Sequence, residues 1–344
     1  MEPGRRPARA ARGLGPLTAR RWALIAAFAG LTLAGVAPAE AARSARLVAA
    51  GDIACHERYA TRPDRCRYAY TAELVKTLDP DVVATLGDAH NGIPTLAHYL
   101  GSYDPTWGAF RSITRPALGN HEYLASDDRR HAPGHFRYFG RRAGPRRGYY
   151  TYRLAGWRVV VLNSGALDFA RNSRRLRDDC YPVSCARRSS QVRWLRRLMG
   201  NLTPNRCVIA YWHHARYSSA NPGPSRELRH AYEALYQGGA ELALVGHSHS
   251  YERFAPMDWR GRPQRHGVRQ FVVGTGGADR AKRPRRRDRG SQFFDRSLAF
   301  GVLELTLRQG SYRYRFIRED GATLDRGGGR CHRRPAAEPR TRKS

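Results

Sequence analysis

The chain has 344 residues, with 61 lysines and arginines against 29 aspartates and glutamates, for a formal net charge of +32. That length allows one large domain or two small ones with an ample core. Beyond the first forty-odd residues no segment is long and apolar enough to span a bilayer, and no C-x-x-C pair supports a structural zinc site.

Arg20 and Arg21 precede an apolar stretch from Trp22 to about Ala37, and Ala39-Glu40-Ala41 follows. A basic start, a short apolar core and an A-x-A end predict a signal peptide over residues 1–42, of the general secretory or the twin-arginine type. Localisation is then secreted, cell-surface or periplasmic. One domain is expected over 43–327, and a basic, mostly disordered tail over 328–344.

A first strand is expected at Leu47–Ala50, a helix from about Tyr68 to Leu78, and a second strand at Val82–Leu86. Trp107 and Phe110 read as core contacts. The runs YYTYRL and WRVVVLN flank Ala155-Gly156, a hairpin signal. Apolar residues at 192, 195, 198 and 202 predict a helix over Gln191–Leu202. Cys207–Trp212 reads as a strand, Glu227–Tyr236 as a helix and Leu242–Val245 as a strand. Three later β-rich runs, Gln270–Val273, Phe300–Leu307 and Tyr312–Ile317, close the domain. Strands alternate with helices early and hairpins fill the rest, which makes this a mixed α/β protein.

All six cysteines lie beyond the signal. An even number in an exported chain favours disulfides. Cys55–Cys66 and Cys180–Cys185 would each close a short polar loop, leaving Cys207 to Cys331. This is one of fifteen possible pairings. The positive charge is nearly all arginine and is spread along the chain, which favours a solvated surface over a nucleic-acid partner. The run Arg280–Arg289 and the tail read as mobile basic segments.

Several predicted strands end on a polar residue of one kind. Asp52 follows the first, Asp88 the second, then come Asn120-His121, His213, and His247 with His249. Ligand sites in α/β sheets gather at carboxyl strand ends. Two Asp, one Asn and three His supply oxygen and imidazole donors that suit Zn, Mn or Fe rather than Ca. Glycines before Asp52, Asp88, Asn120 and His247 let the backbone turn sharply. Taken singly, an Asp reads as a helix cap, Asn120 as a turn and the histidines as core residues. Together, in order, they read as one metal site.

The blocks GDIAC, GDAHN, GNHE, WHH and GHSH resemble the calcineurin-like metallophosphoesterase superfamily. RPALGNHEY, YWHHARYSS, GHSHSYERF and the helix QVRWLRRL resemble its purple-acid-phosphatase branch. The resemblance covers roughly Arg46 to Leu307. It implies a two-sheet β-sandwich flanked by helices, an αββα four-layer fold. The two-domain members carry an N-terminal β-sandwich, and a single catalytic domain is expected here. It also implies a dinuclear site of Fe, Zn or Mn. Asp52 and His249 would hold the first metal, Asp88 would bridge, and Asn120, His213 and His247 would complete the second. His121 would contact phosphate and protonate the leaving oxygen, with Glu122 supporting it. His214 is expected to line the cleft as a second catalytic residue. Phosphate esters would be hydrolysed by in-line attack of metal-bound hydroxide. A nuclease or nucleic-acid-binding role, and a metal-binding relative without activity, are the alternatives.

One position departs from the branch. Its GDxxY pattern places a tyrosinate on iron, and Asn91 stands there. Asparagine offers only a neutral oxygen, so a colourless protein is expected, with His90 either substituting as an imidazole ligand or simply facing the cleft. Gly274-Thr275-Gly276-Gly277 reads as a strand-end turn. Tyr251-Glu252-Arg253 reads as an aromatic packing residue with an ion pair behind the site.

Overall fold

The structure, a computed structural model, describes residues 44–127, 130–166, 180–203 and 206–332. The predicted signal peptide and residues 333–344 of the tail lie outside the described residues.

Among the described residues, twelve strands form two sheets. The first sheet has the order β12-β11-β10-β1-β2, built from β1 (Ala45–Ala50), β2 (Val82–Thr85), β10 (Gly301–Arg308), β11 (Ser311–Arg318) and β12 (Thr323–Arg330). Its β1–β2 pair is parallel and the rest is antiparallel. The second sheet has the order β3-β4-β5-β6-β8-β7-β9. Its strands are β3 (Tyr150–Leu154), β4 (Trp157–Val161), β5 (Val208–Tyr211), β6 (Leu242–Val245), β7 (Tyr251–Met257), β8 (Val268–Val273) and β9 (Ser291–Phe294). β4, β5, β6 and β8 run parallel.

The inner faces pack on each other. Leu47, Ala49, Leu303 and Leu305 of the first sheet meet Val159, Ile209, Leu244 and Phe271 of the second. Tyr251 stacks on Phe316 across this interface, with ring centroids 3.8 Å apart. Helices cover both outer faces. α1 (Tyr68–Leu78) lies on the first sheet, where Val75 joins Val48 and Val83. α2 (Pro133–Phe139) adds Tyr138 and Phe139 to the same layer. α3 (Ser190–Gly200) and α4 (Arg229–Gln237) lie on the second sheet. This is the αββα arrangement.

Local signals explain the elements. Central strands such as β1 are buried on both faces and therefore read as continuous apolar runs. β11 alternates buried Tyr312, Tyr314 and Phe316 with exposed Arg313 and Arg315, the period of a half-covered strand. In α3 the Ser189 hydroxyl caps Val192 N, and Val192, Leu195 and Met199 face inward. Ala155 and Gly156 both take positive φ, as a tight two-residue hairpin requires.

The three disulfides are Cys55–Cys66, Cys180–Cys185 and Cys207–Cys331. The expected tail boundary at Gly327 moves. β12 runs through Gly327–Gly329 to Arg330, and His332 N donates to Glu241. Glycine weakens a strand, but here it makes room. A Cβ on Gly329 would stand 2.8 Å from the Tyr312 ring, and one on Gly327 would stand 2.5 Å from the Tyr314 hydroxyl. The basic run at 280–289 is held as well. Ala281 N donates to His249 O at 3.0 Å, and Asp288 N donates to Ser219 Oγ at 2.7 Å. Arg253 pairs with Asp325 rather than with neighbouring Glu252, which takes Ser219 instead.

Candidate metal centre

Five chain segments leave the carboxyl ends of the two sheets side by side. Asp52 follows β1, Asp88 follows β2, His213 follows β5, and His247 and His249 follow β6. Asn120 and His121 sit on a segment bridged in parallel to the end of β2 at Leu86–Ala117. Asp52, Asp88, His247 and His249 all adopt positive φ, between 33° and 69°. L-residues pay of order 1 kcal/mol for this conformation. Four such residues at one edge mark a place where side-chain aim outweighs backbone comfort.

The donor atoms converge. His213 Nε2 lies 3.1 Å from Asp88 Oδ2, 3.0 Å from Asn120 Oδ1 and 3.2 Å from His247 Nδ1. Donor atoms of Asp88, His213 and His247 all lie within 4.8 Å of one another. His249 Nε2 stands 3.2 Å from Asp52 Oδ1. That oxygen has no hydrogen-bond partner among the described residues, although Asp52 is fully buried. A buried carboxylate oxygen lacking a donor, beside imidazoles, fits a cation ligand. The same holds for the glycines: a Cβ on Gly119 would overlap Asp88 Oδ1, and one on Gly246 would stand 2.8 Å from Asp52 Oδ2.

Protonation follows from this packing. His213 donates through Nδ1 to Leu86 O at 2.9 Å, so the ring is oriented with Nε2 toward the carboxylate and the amide. Burial disfavours its charge, but Asp88 and then Asp52 outweigh burial and raise its pKa to about 10. Asp88 shows the reverse: burial would raise it, and the facing His213 and His121 hold it well below the usual carboxylate range. Burial likewise opposes charge on His249, and Asp52 raises it.

Glu122 is the keystone beneath Asp88. Its carboxylate accepts from Asp88 N and Ala89 N, both at 2.9 Å, and from Gly119 N at 2.6 Å. Burial, then Asp88, raises its pKa to about 7.

A cleft of about 470 Å³ opens over the donors. Asp88, Asn91, Asn120, His121, His247 and His249 line its inner part, and exposed Arg58, Arg280 and Lys282 line it toward solvent. His121 Nδ1 bonds to Gly92 O at 2.8 Å, and its Nε2 is 3.9 Å from Asp88 Oδ2.

Two expectations change. His214 does not line the cleft. It is fully buried, its Nδ1 is 2.8 Å from Ser164 Oγ, and its ring packs 4.3 Å from that of His247. Adjacent residues leaving a strand point to opposite sides, so when His213 faces the donors His214 must face behind them. His90 also departs. It packs against His98, and burial, then His98, lowers its pKa to about 4. Asn91, not His90, is the cleft residue. Sequence reasoning missed Asn163-Ser164 behind His214, although WRVVVLNS carries the same strand-to-polar signal as the other junctions.

The sequence profile described as calcineurin-like phosphoesterase matches residues 45–251, from β1 to the start of β7. The chain belongs to the calcineurin-like phosphoesterase family. No curated protein matches the phosphoesterase sequence. Its fold is similar to that of purple acid phosphatase PPD1 from yellow lupin (Lupinus luteus), with a TM-score of 0.62 and 19% identity. That likeness covers 83% of this chain and 54% of the lupin protein, so this chain spans about half the lupin chain. GAP50, the anchor in the inner membrane complex of Plasmodium, aligns with a TM-score of 0.60, 12% identity and coverage of 85% and 90%. PhoD aligns with a TM-score of 0.54, 13% identity and coverage of 84% and 70%. At these identities the likeness is one of fold.

Proposed function

We propose that this phosphoesterase hydrolyses phosphoric esters in the cleft over Asp88, with two metal ions held by the converged side chains. The observation that carries the reading is the meeting of Asp52, Asp88, Asn120, His213, His247 and His249 where the carboxyl ends of the two sheets lie side by side. Asp52 and His249 form one donor group, and Asn120, His213 and His247 the other. In this reading Asp88 serves both groups. When bound, the ions supply Lewis acidity toward phosphoryl oxygens and acidify water.

The chain's own residues do the rest. Glu122 and the backbone of His121, whose N donates to Asp88 Oδ1 at 2.9 Å, fix the direction of the bridging carboxylate. His121 is the acid. Its Nδ1–H donates to the Gly92 carbonyl, so the proton it can release sits on Nε2. As water oxygen bonds to phosphorus and the P–O ester bond breaks opposite, that proton passes to the departing alkoxide. His214 supports the ring of His247 from behind.

Three disulfides and the predicted signal support export. Among the described residues no helix is long and apolar enough to cross a membrane.

Hydrolysis of 4-nitrophenyl phosphate and bis(4-nitrophenyl) phosphate, with and without added Zn, Mn or Fe, tests the reading. Metal-dependent release of nitrophenolate is expected, with loss of at least about 10³-fold in Asp88→Ala. Full activity in that variant defeats the two-ion reading. A folded, metal-loaded but inactive protein supports a second reading, a non-catalytic relative. GAP50, an anchor with 90% of its chain covered by this fold, is the precedent for that alternative.

A further inference from the structure

We infer that the cleft selects small phosphoric esters carrying at least one further phosphate group, which Arg58, Arg280 and Lys282 bind. The inference rests on the cleft being the hydrolytic site proposed above. The scissile phosphoryl group would meet the donor cluster and His121. Three more cations line the same cleft, and none of them has an acidic side-chain partner among the described residues. Nearby acids are already engaged: Asp279 with Arg65 and Glu319 with Arg67. A substrate with one phosphate leaves these cations unused, and one with a second phosphate pairs them.

Two of the three cations are held in place. Arg58 sits on the loop closed by Cys55–Cys66, with its guanidinium 4.7 Å from the Tyr59 ring centroid. Arg280 lies 4.5 Å over Phe300. Its loop hangs from the donor cluster through Ala281 N to His249 O, and joins the disulfide loop through Asp279 N to Arg65 O at 2.7 Å. Pre-placed charges lose less conformational entropy on binding.

Size and chemistry favour a small molecule over a nucleic acid. A cleft of about 470 Å³ suits a ligand of cofactor size. Single-strand binding needs free aromatic faces. Tyr59 is covered by Arg58 and by Arg65, whose guanidinium is 3.8 Å from its ring centroid.

The test compares kcat/KM for adenosine triphosphate and for 4-nitrophenyl phosphate in the wild type and in the Arg58→Ala/Arg280→Ala/Lys282→Ala variant. A single Arg280→Glu variant serves as a second probe. With each exposed charge contact worth about threefold, the triphosphate-to-monophosphate ratio is expected to fall about 30-fold in the triple variant. Calorimetric titration with inorganic tripolyphosphate should show weaker binding by a similar factor. An unchanged ratio in a folded variant overturns the inference and leaves the proposed function standing. Efficient cleavage of internal diesters in a single-stranded oligonucleotide overturns it in favour of a polymer substrate. If the wild type hydrolyses neither substrate, nor bis(4-nitrophenyl) phosphate, the proposed function fails. The tripolyphosphate titration then still decides the cations' role, and equal affinity in wild type and variant overturns it.

Discussion

His121 is held by one ring nitrogen and, in the proposed reaction, works with the other. Gly92 O takes Nδ1–H, which leaves Nε2 as the only site that can hand a proton to a leaving group. Its weight should therefore depend on the leaving group. In His121→Ala, kcat for an alkyl phosphate is expected to fall about 10²–10³-fold, and for 4-nitrophenyl phosphate less than about tenfold, because nitrophenolate leaves without a proton. Equal losses on both substrates would assign His121 to binding alone. Glu122 acts at one remove. Removing its carboxylate leaves the amides of Asp88, Ala89 and Gly119 buried without their acceptor. Glu122→Ala should cost about 3 kcal/mol or more in denaturant unfolding and weaken metal retention as Asp88 loses its aim.

Between elements, the C-terminal end of the chain is tied to the centre of the second sheet. Cys331 bonds to Cys207 just before β5, and Glu241, just before β6, accepts from Val208 N at 2.6 Å and His332 N at 3.2 Å. Burial raises the Glu241 pKa from 4.5 to about 8, against the opposing backbone donors. The folded state thus holds this proton more tightly than the unfolded chain does. The stability it contributes is full below about pH 4.5 and is lost as pH rises toward 8. The slope is about 1.4 kcal/mol per pH unit at most across that window. Thermal melts of Glu241→Gln against wild type should show the variant gaining relative stability as pH rises, and parallel melting curves at every pH would refute it.

Across the whole molecule, the site joins the carboxyl ends of both sheets, so metal loss should be felt by the fold as well as the chemistry. Chelation is expected to abolish hydrolysis and lower the melting temperature. A hundredfold excess of metal over its Kd should restore about 2.7 kcal/mol. The active protein should lack a visible tyrosinate-to-iron band, because Asn91 lines the cleft where the purple branch places tyrosine. A purple, active protein would contradict this.

What could be read beforehand, and what could not, divides along the range of the interactions. Elements with local cause were legible. β1, α1, the β3–β4 hairpin, α3 and β6 follow from apolar period, caps and a two-residue turn, all within a few residues of one another. The cluster of polar side chains was legible too, because most of its members repeat one local device, a strand ending in a sharp turn and a polar side chain. β7, β9 and β12 were not. Their strand character comes from the strands they pair with rather than from their own pattern; the Gly327–Gly329 stretch looks like a tail until the Tyr312 and Tyr314 rings lie across it. His214 and His90 were misplaced for a related reason. Neighbouring side chains on a strand or turn share a motif but not a direction, and only packing against Ser164 and His98 decides which way each faces. The sequence by itself determined the mixed α/β class, and it pointed to one of fifteen cysteine pairings, which the structure adopts, and to six polar side chains at turns. The tertiary structure alone decided which residues share the cleft, and it placed Arg58 and Arg280 in one cleft though 222 positions separate them. Charge acts through space, and spatial proximity between distant segments has no local signature.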